Sequence, residues 1–396
     1  MTGNADGEQP PRRRVSLAVV AREWTRIGLT GFGGPPAHIA LLRQLVVDRE
    51  EWMDAREFQD ANAACGLLPG PASTQMAIFT AYRVAGPAGA IVGGLGFIVP
   101  AVVLVLVLSL LFLSHSAPLL VRGAGAGAGA AVAAVAAHAA RGLIPPSLAA
   151  VHGNRARTLR WIAYVILGVA AAALIGAYLV IVLLACGAVE LVIQRSPSAG
   201  GSLNSLGALL LLPAAVTVGG FGAVAWTALK VGALSFGGGF VIVPLMHGDA
   251  VHTYHWMSNS RFLDAVALGQ VTPGPVVATV AAVGYAAHGL AGGILAAAVA
   301  FAPSFAFILL GGPQFERLRG NRNARAFLDG AGPAAIGAIL GAGVQLALAL
   351  QEPWQFVILA AAAVALLLLR RGVVEVLLAS GAIGAVIALV GGALPH

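Results

Sequence analysis

Two short motifs rich in glycine and proline hold the residues of this sequence best suited to binding chemistry. A Phe-Gly-Gly motif at 32–34 and a Pro-Gly-Pro motif at 69–71 return at 236–238 and 273–275, each 204 residues later. Glycine lets a ligand approach the backbone without a Cβ in the way, and proline opens a helix whose first N–H groups are free. Because such a helix start carries about half a positive charge, it binds oxyanions. The motifs therefore predict a cradle for an anion.

Polar side chains beside these motifs can complete the cradle. Ser73 and Thr74 follow the first Pro-Gly-Pro motif, and Gln270 and Thr272 precede the second, so their hydroxyl and amide groups can cap a helix or donate to an anion. Two cations in apolar surroundings, where a charge is expensive and marks a site by default, would balance the anion. The predicted substrate-binding residues are Phe32, Gly33, Gly34, Pro69, Gly70, Pro71, Ser73, Thr74, Arg83, Lys230, Phe236, Gly237, Gly238, Gln270, Thr272, Pro273, Gly274 and Pro275.

Both groups of residues also have a plainer interpretation. Glycines let membrane helices pack closely, which is the explanation that we favour for Gly28 and Gly232, one turn before each Phe-Gly-Gly motif. Long basic side chains can snorkel to the membrane surface, and this stays open for Lys230 and for Arg26 at the matching position of the first copy.

The motifs belong to an internal repeat that must position them. Over 28–71 and 232–275, aligned without gaps, 15 of 44 positions are identical. Broken backbone survives in a membrane only where it is buried in protein or lines a cavity, and paired Gly/Pro-broken segments point to a transporter's binding site. We expect each repeat to begin with two broken hairpins whose breaks meet near the midplane, followed by three or four regular helices.

Composition places the whole chain in a membrane. It is 59% hydrophobic and only 10% charged, against roughly 25% charged in ordinary globular proteins. The run 265–315 contains no Asp, Glu, Lys or Arg, and its 51 residues exceed the roughly 20 residues that a spanning helix needs. No alternating strand pattern is present, so the sequence predicts an all-α polytopic membrane protein with two homologous repeats.

Loop charges indicate that the two repeats are inverted. The loop after the long helix carries four arginines in the second half (316–325) and none in the first (114–118), and the next loop reverses this difference. Since cytoplasmic loops collect Lys and Arg, equivalent loops lie on opposite sides. The predicted divisions are a disordered cytoplasmic tail at 1–14, a first repeat at 15–195, a linker at 196–225 with the inverting helix Leu206–Val224, and a second repeat at 226–396.

Several function classes find no support in the sequence. We find no phosphate-binding loop, no His-Glu-x-x-His and no nucleophile elbow, which argues against an ATP-driven pump and against an enzyme. The cluster of His247, Asp249, His252 and His255 has no counterpart in the first half, so no metal site is expected. The net charge of +7 is spread over loops between apolar segments, which argues against nucleic-acid binding.

On these motifs the chain resembles the chromate ion transporter family in its long, two-domain form. The resemblance implies an inner-membrane protein with two homologous halves of opposite orientation that expels chromate from the bacterial cytoplasm, with sulfate as a similar competitor. It carries the family's Gly, Pro and basic positions over to the matching segments of this chain and to Arg83. Those segments are Phe32-Gly33-Gly34-Pro35, Trp52-Met53, Leu68-Pro69-Gly70-Pro71, Ser235-Phe236-Gly237-Gly238-Gly239, Trp256-Met257 and Gln270-Val271-Thr272-Pro273-Gly274-Pro275. One departure is Leu67-Leu68 before Pro69, where a polar residue is expected.

The sequence thus predicts a secondary transporter that exports chromate, a divalent tetrahedral oxyanion, from a site between two inverted repeats. The expected partners are chromate, sulfate as a competitor and the lipid bilayer; a homodimer is left open, and no cofactor is expected. The membrane potential alone can drive the efflux of a dianion, and antiport with protons stays open. The alternatives are transport of another anion such as sulfate, in either direction, and a membrane protein that transports nothing.

Overall fold

The computed structural model describes residues 15–114, 117–151, 153–174, 179–194, 219–235, 240–311 and 321–395. Every regular element in these ranges is a helix, which confirms the all-α prediction. The predicted tail at 1–14, the second Phe-Gly-Gly motif at 236–238 and most of the predicted inverting helix lie outside the described residues. The end of that helix, from Phe221, belongs to the first long helix of the second half.

The described helices occur in the same order in both halves. In the first half they are α1 Leu17–Thr30, α2 Pro35–Arg43, α3 Ala55–Leu67, α4 Ala72–Phe112, α5 Leu119–Ala149, α6 Arg155–Leu174 and α7 Leu179–Gln194. In the second half they are α8 Phe221–Leu234, α9 Ile242–His247, α10 Asn259–Val271, α11 Thr279–Gly311, α12 Arg322–Leu348, α13 Pro353–Ala363 and α14 Val373–Leu389. π-Helical turns follow α2, α9 and α13 at Gln44–Arg49, Gly248–Thr253 and Val364–Leu368, and a 3₁₀ turn at Val276–Ala278 precedes α11.

The helices end where the sequence contains its glycines and prolines. The chain between α1 and α2 passes through Gly33 and Gly34 with φ of 101° and 74°, a region that side chains other than glycine rarely enter. Between α3 and α4, Gly70 has φ of 116°, and Pro71 then fixes the start of α4. The caps of α3 and α10 are also equivalent, since Asp54 and Ser258 each accept a hydrogen bond from the backbone three residues on.

Two of the longest helices are hairpins. Helix α4 has 41 residues, but Gly86 breaks it with φ of 68°, and the limb 87–112 packs back on the limb 72–85. A Cβ on Gly93 would lie 2.4 Å from the Ala81 Cβ, which shows how closely the limbs approach. Helix α11 bends back in the same way at Gly289. At 1.5 Å per residue the first limb of α4 is roughly 21 Å long, which is too short to cross a bilayer core of roughly 30 Å.

The two halves interlock rather than lie side by side. Helix α5 packs on α13 and α14 of the second half, and α12 packs on α6 and α7 of the first. These contacts bring backbones together: a Cβ on Gly384 would lie 2.2 Å from the Gly123 carbonyl oxygen, and one on Gly168 would lie 2.0 Å from that of Ala334. Close packing through small residues is the usual way in which membrane helices associate.

The outer surface and the long helices identify a multi-pass membrane protein. Within the described ranges, five helices are long and apolar enough to span a bilayer by length and composition, and two of these, α4 and α11, are folded back on themselves as hairpins. Large apolar side chains point outward along them, with Val107 and Ile166 more than half exposed. Buried acids are paired: Glu190 accepts two hydrogen bonds from Arg160, at 2.8 and 2.9 Å, and one from the Tyr164 hydroxyl at 3.0 Å.

Candidate anion site at the crossing of the repeats

The Pro-Gly-Pro motif of each half lies against the other half of the chain. A Cβ on Gly70 would lie 3.1 Å from the carbonyl oxygen of Gly232 on α8 and 3.5 Å from the hydroxyl oxygen of Ser304 on α11. The motif that follows α3 is therefore enclosed by helices of the second repeat.

The same contacts recur with the halves exchanged. A Cβ on Gly274 would lie 3.3 Å from the carbonyl oxygen of Gly28 on α1 and 2.7 Å from the Cβ of Ala101 on α4. The Gly274 N–H also donates to the carbonyl oxygen of Gly31 at 3.0 Å, so the second Pro-Gly-Pro motif meets the first Phe-Gly-Gly break directly. Contacts that are reciprocal between two copies are those of a two-fold arrangement. We call the region around Gly28, Gly70, Gly232 and Gly274 the repeat crossing.

A helix N-terminus opens at the repeat crossing. Helix α4 starts at Ala72 after Pro71, and no side chain caps its first N–H groups. Since α4 is long and starts inside the fold, these donors and the associated partial positive charge face the crossing. The second repeat differs, because a 3₁₀ turn follows Pro275 and the Thr279 hydroxyl donates to the Val276 carbonyl at 2.7 Å.

Buried polar atoms without a partner occur at this helix start and on the two helices, α8 and α11, that border Gly70. Thr74, Gln75, Ser235 and Ser304 are fully buried, yet the hydroxyl oxygens and the Gln75 Oε1 have no hydrogen-bond partner within the described structure. The Gln75 amide nitrogen donates to the Pro69 carbonyl at 2.7 Å and lies 2.8 Å from where a Cβ on Gly70 would be. An unsatisfied buried polar group costs about 1–3 kcal/mol, so a cluster of them indicates a place that a polar ligand fills.

Predicted site residues in half two include two further polar groups. Thr272 is buried and its hydroxyl makes a long bond of 3.4 Å to the Gly269 carbonyl. The Gln270 amide nitrogen is buried and has no partner among the described residues. A buried donor without a partner is what a ligand site would contain before the ligand binds.

His38, which no sequence pattern singled out, fixes the first break. It is fully buried; its Nε2 lies 2.9 Å from the Gly31 carbonyl oxygen and its Nδ1 lies 3.4 Å from the Ser73 hydroxyl. Because a carbonyl only accepts, Nε2 carries the proton, and in the neutral ring Nδ1 accepts from Ser73. Ser73 therefore helps to hold the break against α4. Position 242 of the second repeat has isoleucine, so no symmetry of sequence predicted this contact.

Phe32 is a predicted site residue that the fold leaves exposed. Its side chain is 47% exposed, and Gly33 next to it is exposed as well. Their counterparts at 236–238 lie outside the described residues. The first Phe-Gly-Gly motif thus contributes its backbone at Gly31 to the crossing and leaves the phenyl ring at the surface.

Arg83 forms an ion pair with an acidic residue. The sequence predicts a place for it beside the anion, but its guanidinium pairs with Glu57 on α3, and 38% of its side chain is exposed. The two residues are far apart in sequence, which is why the acidic partner was not predicted.

We therefore expect Arg83→Gln to leave transport largely intact. An exposed pair contributes roughly 0–1 kcal/mol, so the thermal midpoint in detergent and the rate of the predicted anion transport are expected to change little. Charge exchange in the double variant Arg83→Glu with Glu57→Arg is the control. If R83Q folds but shows no uptake, Arg83 has a direct role in transport.

Lys230 is also neutralised by a neighbour rather than left for an anion. Its Nζ lies 2.6 Å from Asp249 Oδ2, and the Thr227 hydroxyl donates to the same oxygen at 2.6 Å. The Asp249 carboxylate is 2% exposed and the Lys230 side chain 12%, with the Trp226 ring 5.7 Å from the ammonium group. The pair joins α8 to the π-helical turn Gly248–Thr253.

Arg26, which matches Lys230 in the first repeat, borders a pocket that a second arginine also lines. A cavity of about 250 Å³ lies beside α1, α2 and the π-helical turn Gln44–Arg49, and Arg26 and Arg49 line it together with Thr30 and Gln44. Glu23 on α1 bridges the two arginines at 3.2 and 2.9 Å. We call this cavity the vestibule, because the turn of α1 that borders it leads directly to Gly31.

Two histidines of half two, His247 and His252, contact each other, and His247 also contacts Asn259. His247 Nε2 lies 2.8 Å from the Asn259 side-chain oxygen, and its ring packs edge-on against His252. No group of side chains suited to a metal ion occurs among the described residues.

Comparisons with known proteins agree on one family. The model of a family described as chromate transporter matches residues 18–191 and 222–389. The chain is 33% identical over 389 residues to the chromate transport protein of Cupriavidus metallidurans, covering 96% of this chain and 94% of that one. It is 31% identical over 351 residues to the chromate transport protein of Pseudomonas aeruginosa, covering 84% and 82%. No solved structure matches the chain significantly.

Proposed function

We propose that this chain, which belongs to the chromate transporter family, exports chromate from the cytoplasm through the crossing of its two repeats. Membership confirms the resemblance drawn from the motifs and supports a role in chromate transport. The members of the family are transporters, so the prediction that the chain is not an enzyme is confirmed. Beyond family membership, we propose where chromate binds, in which direction it is transported and how the two repeats are oriented.

The observation that carries the proposal is the set of unpartnered hydroxyl groups around a helix start. Chromate offers four oxygens and two negative charges, and the crossing offers the N–H groups behind Pro71 and the hydroxyls of Thr74, Ser235 and Ser304. Hydroxyl and backbone donors at a helix N-terminus bind an oxyanion without a cation in contact. This fits a crossing where Arg83 and Lys230 are both paired elsewhere.

The vestibule supports both an anionic substrate and a direction. The residues that line it include Arg26 and Arg49 and no acid, although both guanidinium groups pair with Glu23, whereas the matching Lys230 of the second repeat is paired one to one with the buried Asp249. A cleft lined by one sign of charge raises the local concentration of the opposite ion. With the arginine-rich chain start inside, the collecting side is the cytoplasm, as export requires.

Inverted repeats follow from combining the contacts with the loop charges. Reciprocal contacts at Gly70 and Gly274 support a two-fold relation between the halves, and the exchange of arginines between equivalent loops supports an axis in the membrane plane. In a bacterial inner membrane that is negative inside, the membrane potential favours the export of a dianion by roughly 4–5 kcal/mol per 100 mV.

Chromate uptake into everted membrane vesicles tests the proposed function. Vesicles that contain the protein should accumulate chromate, sulfate in excess should reduce the rate, and cells that express the protein should hold less chromium. If vesicles accumulate sulfate but not chromate, the alternative substrate is the correct one. If neither anion moves in vesicles that contain folded protein, the transport proposal fails.

Ser304→Ala is expected to raise the KM for chromate about fivefold to tenfold. One hydrogen bond to a charged group contributes about 1.5–3 kcal/mol, and a water molecule that takes the place of the hydroxyl compensates for part of this loss. Ser109→Ala is the matched control: this serine on α4 is equally buried, but it already donates to the Val105 carbonyl at 2.7 Å. The KM of S109A should equal that of the parent. Equal KM values for S304A and S109A would remove Ser304 from the site.

A further inference from the structure

Asp264 on α10 has a buried oxygen that the fold leaves without a partner. Its Oδ1 is inaccessible and makes no hydrogen bond among the described residues, although the residue as a whole retains partial exposure. The carboxylate lies against the glycine face of α5: a Cβ on Gly125 would be 2.8 Å from Oδ1, and one on Gly129 would be 3.5 Å away. Only glycine at 125 leaves room for the carboxylate here.

The first repeat holds an aspartate at the same position, but in different surroundings. Asp60 on α3 corresponds to Asp264 and has a partner interaction, whereas Oδ1 of Asp264 has none among the described residues. The unpartnered acid is therefore not a general property of the repeat. Asp264 lies two turns before the end of the helix that leads into the second Pro-Gly-Pro motif, where Gly274 packs against the first repeat.

The charged groups around Asp264 leave it close to isolated. Burial raises the pKa of Asp264 to about 7, and the charge of Arg261, one turn earlier on α10, opposes this effect. The ionisable residues on the elements packed against α10 are Arg122, His138 and Arg141 on α5, Glu375 on α14, Tyr285 and His288 on α11, Tyr82 and Arg83 on α4, and Asp249 and His252 in the π-helical turn. Of these, Glu375 lies beside Arg371, His288 packs against Phe221, Arg83 pairs with Glu57, and Asp249 binds Lys230. Helix α10 is not among the helices able to span a membrane.

On this geometry, and resting on the proposed function, we propose that Asp264 is the proton-binding site that couples chromate export to proton entry. A carboxylate with an inaccessible, unpartnered oxygen is costly when ionised, so the described conformation binds a proton. A conformation that hydrates Oδ1 releases the proton. Two states with different proton affinity are what coupling requires, because the proton gradient then biases the equilibrium between them.

Two modes of chromate flux in proteoliposomes separate coupling from transport. Chromate–chromate exchange is measured at equal pH on both sides, and net chromate uptake is measured with an acidic lumen while potassium and valinomycin clamp the membrane potential. The protein with Asp264 should do both. Asp264→Asn should retain exchange within about threefold and lose at least nine tenths of the uptake driven by the pH gradient. Asp60→Asn is the matched control and should retain both modes.

Each outcome decides the proposal. If D264N still accumulates chromate on a pH gradient, or if the protein with Asp264 exchanges chromate but ignores the gradient, Asp264 is not the coupling site. If D264N does not fold, Asp264→Glu serves instead: it should couple with a shifted pH profile of net uptake, and an unshifted profile overturns the proposal. If the protein with Asp264 exchanges no chromate at all, the proposed function has failed, which is a distinct result.

Discussion

Gly274→Ala is expected to abolish chromate transport, and Ala101→Gly in the same chain is expected to restore part of it. Gly274 has φ of 96°, where an added Cβ costs roughly 1–2 kcal/mol, and that Cβ would lie 2.7 Å from the Cβ of Ala101. Overpacking of this kind typically adds about 1–3 kcal/mol. The backbone would move away from Gly31, whose carbonyl accepts the Gly274 N–H, and uptake should fall below a tenth of the parent rate.

Two further variants separate the clash from the backbone cost. Gly289 also has a positive φ, 61°, but a Cβ there would meet no atom within 4 Å, so Gly289→Ala should lose only the backbone term and keep most of the uptake. Gly70→Ala would meet the Gln75 amide first, and Ala101→Gly should not rescue it. Uptake and the thermal midpoint are measured for all variants. We expect Ala101→Gly to restore uptake in G274A and not in G70A. If it restores uptake in both variants, or in neither, the reciprocal packing is contradicted.

The positions of the helix breaks could be predicted because they depend on local chemistry. Glycine with positive φ at 33, 34, 70 and 274, and proline behind it, interrupt a helix in any surroundings. The equal spacing of the two copies made the order of helices predictable as well. What each break contacts could not be predicted, since Gly70 meets Gly232 only because the halves interlock.

The polar lining was predictable only where it adjoins a motif. Thr74 and Gln270 were predicted because they lie next to Pro-Gly-Pro, and both have an unpartnered buried atom within the described part of the chain. Ser304 was missed because it lies far along α11 in an apolar stretch, where its counterpart in the first repeat is Ala101. Its role depends on the fold of α11 against the other half.

Both predicted cations have acidic partners that the sequence did not indicate, for a physical reason. A charge in an apolar segment marks a site only when no partner reaches it, and partners come from any part of the chain. Glu57 reaches Arg83 from α3, and Asp249 reaches Lys230 from the π-helical turn after α9. Both segments are short and polar in sequence, which gives no indication of the direction in which their side chains point.

Lys230→Met is expected to be the most destabilising single substitution at a charged residue, and Asp249→Asn in the same chain is expected to restore the protein. Removing one partner of a buried pair leaves an uncompensated charge and costs about 3–5 kcal/mol, whereas replacing both partners by neutral groups of similar size is often neutral. Asp249 is 2% exposed, so water cannot compensate for the loss of the ammonium group, and the Thr227 hydroxyl alone is a weak substitute.

The double variant decides whether Lys230 holds the pair or the substrate. If the pair is structural, K230M with D249N should recover both the thermal midpoint and chromate uptake; if Lys230 binds chromate, the double variant should fold and remain inactive. Arg26→Met is the matched control for stability, because this side chain is 56% exposed at the equivalent position, and its loss should cost less than about 1 kcal/mol. A K230M midpoint no lower than that of R26M would show that the buried pair contributes little to the fold.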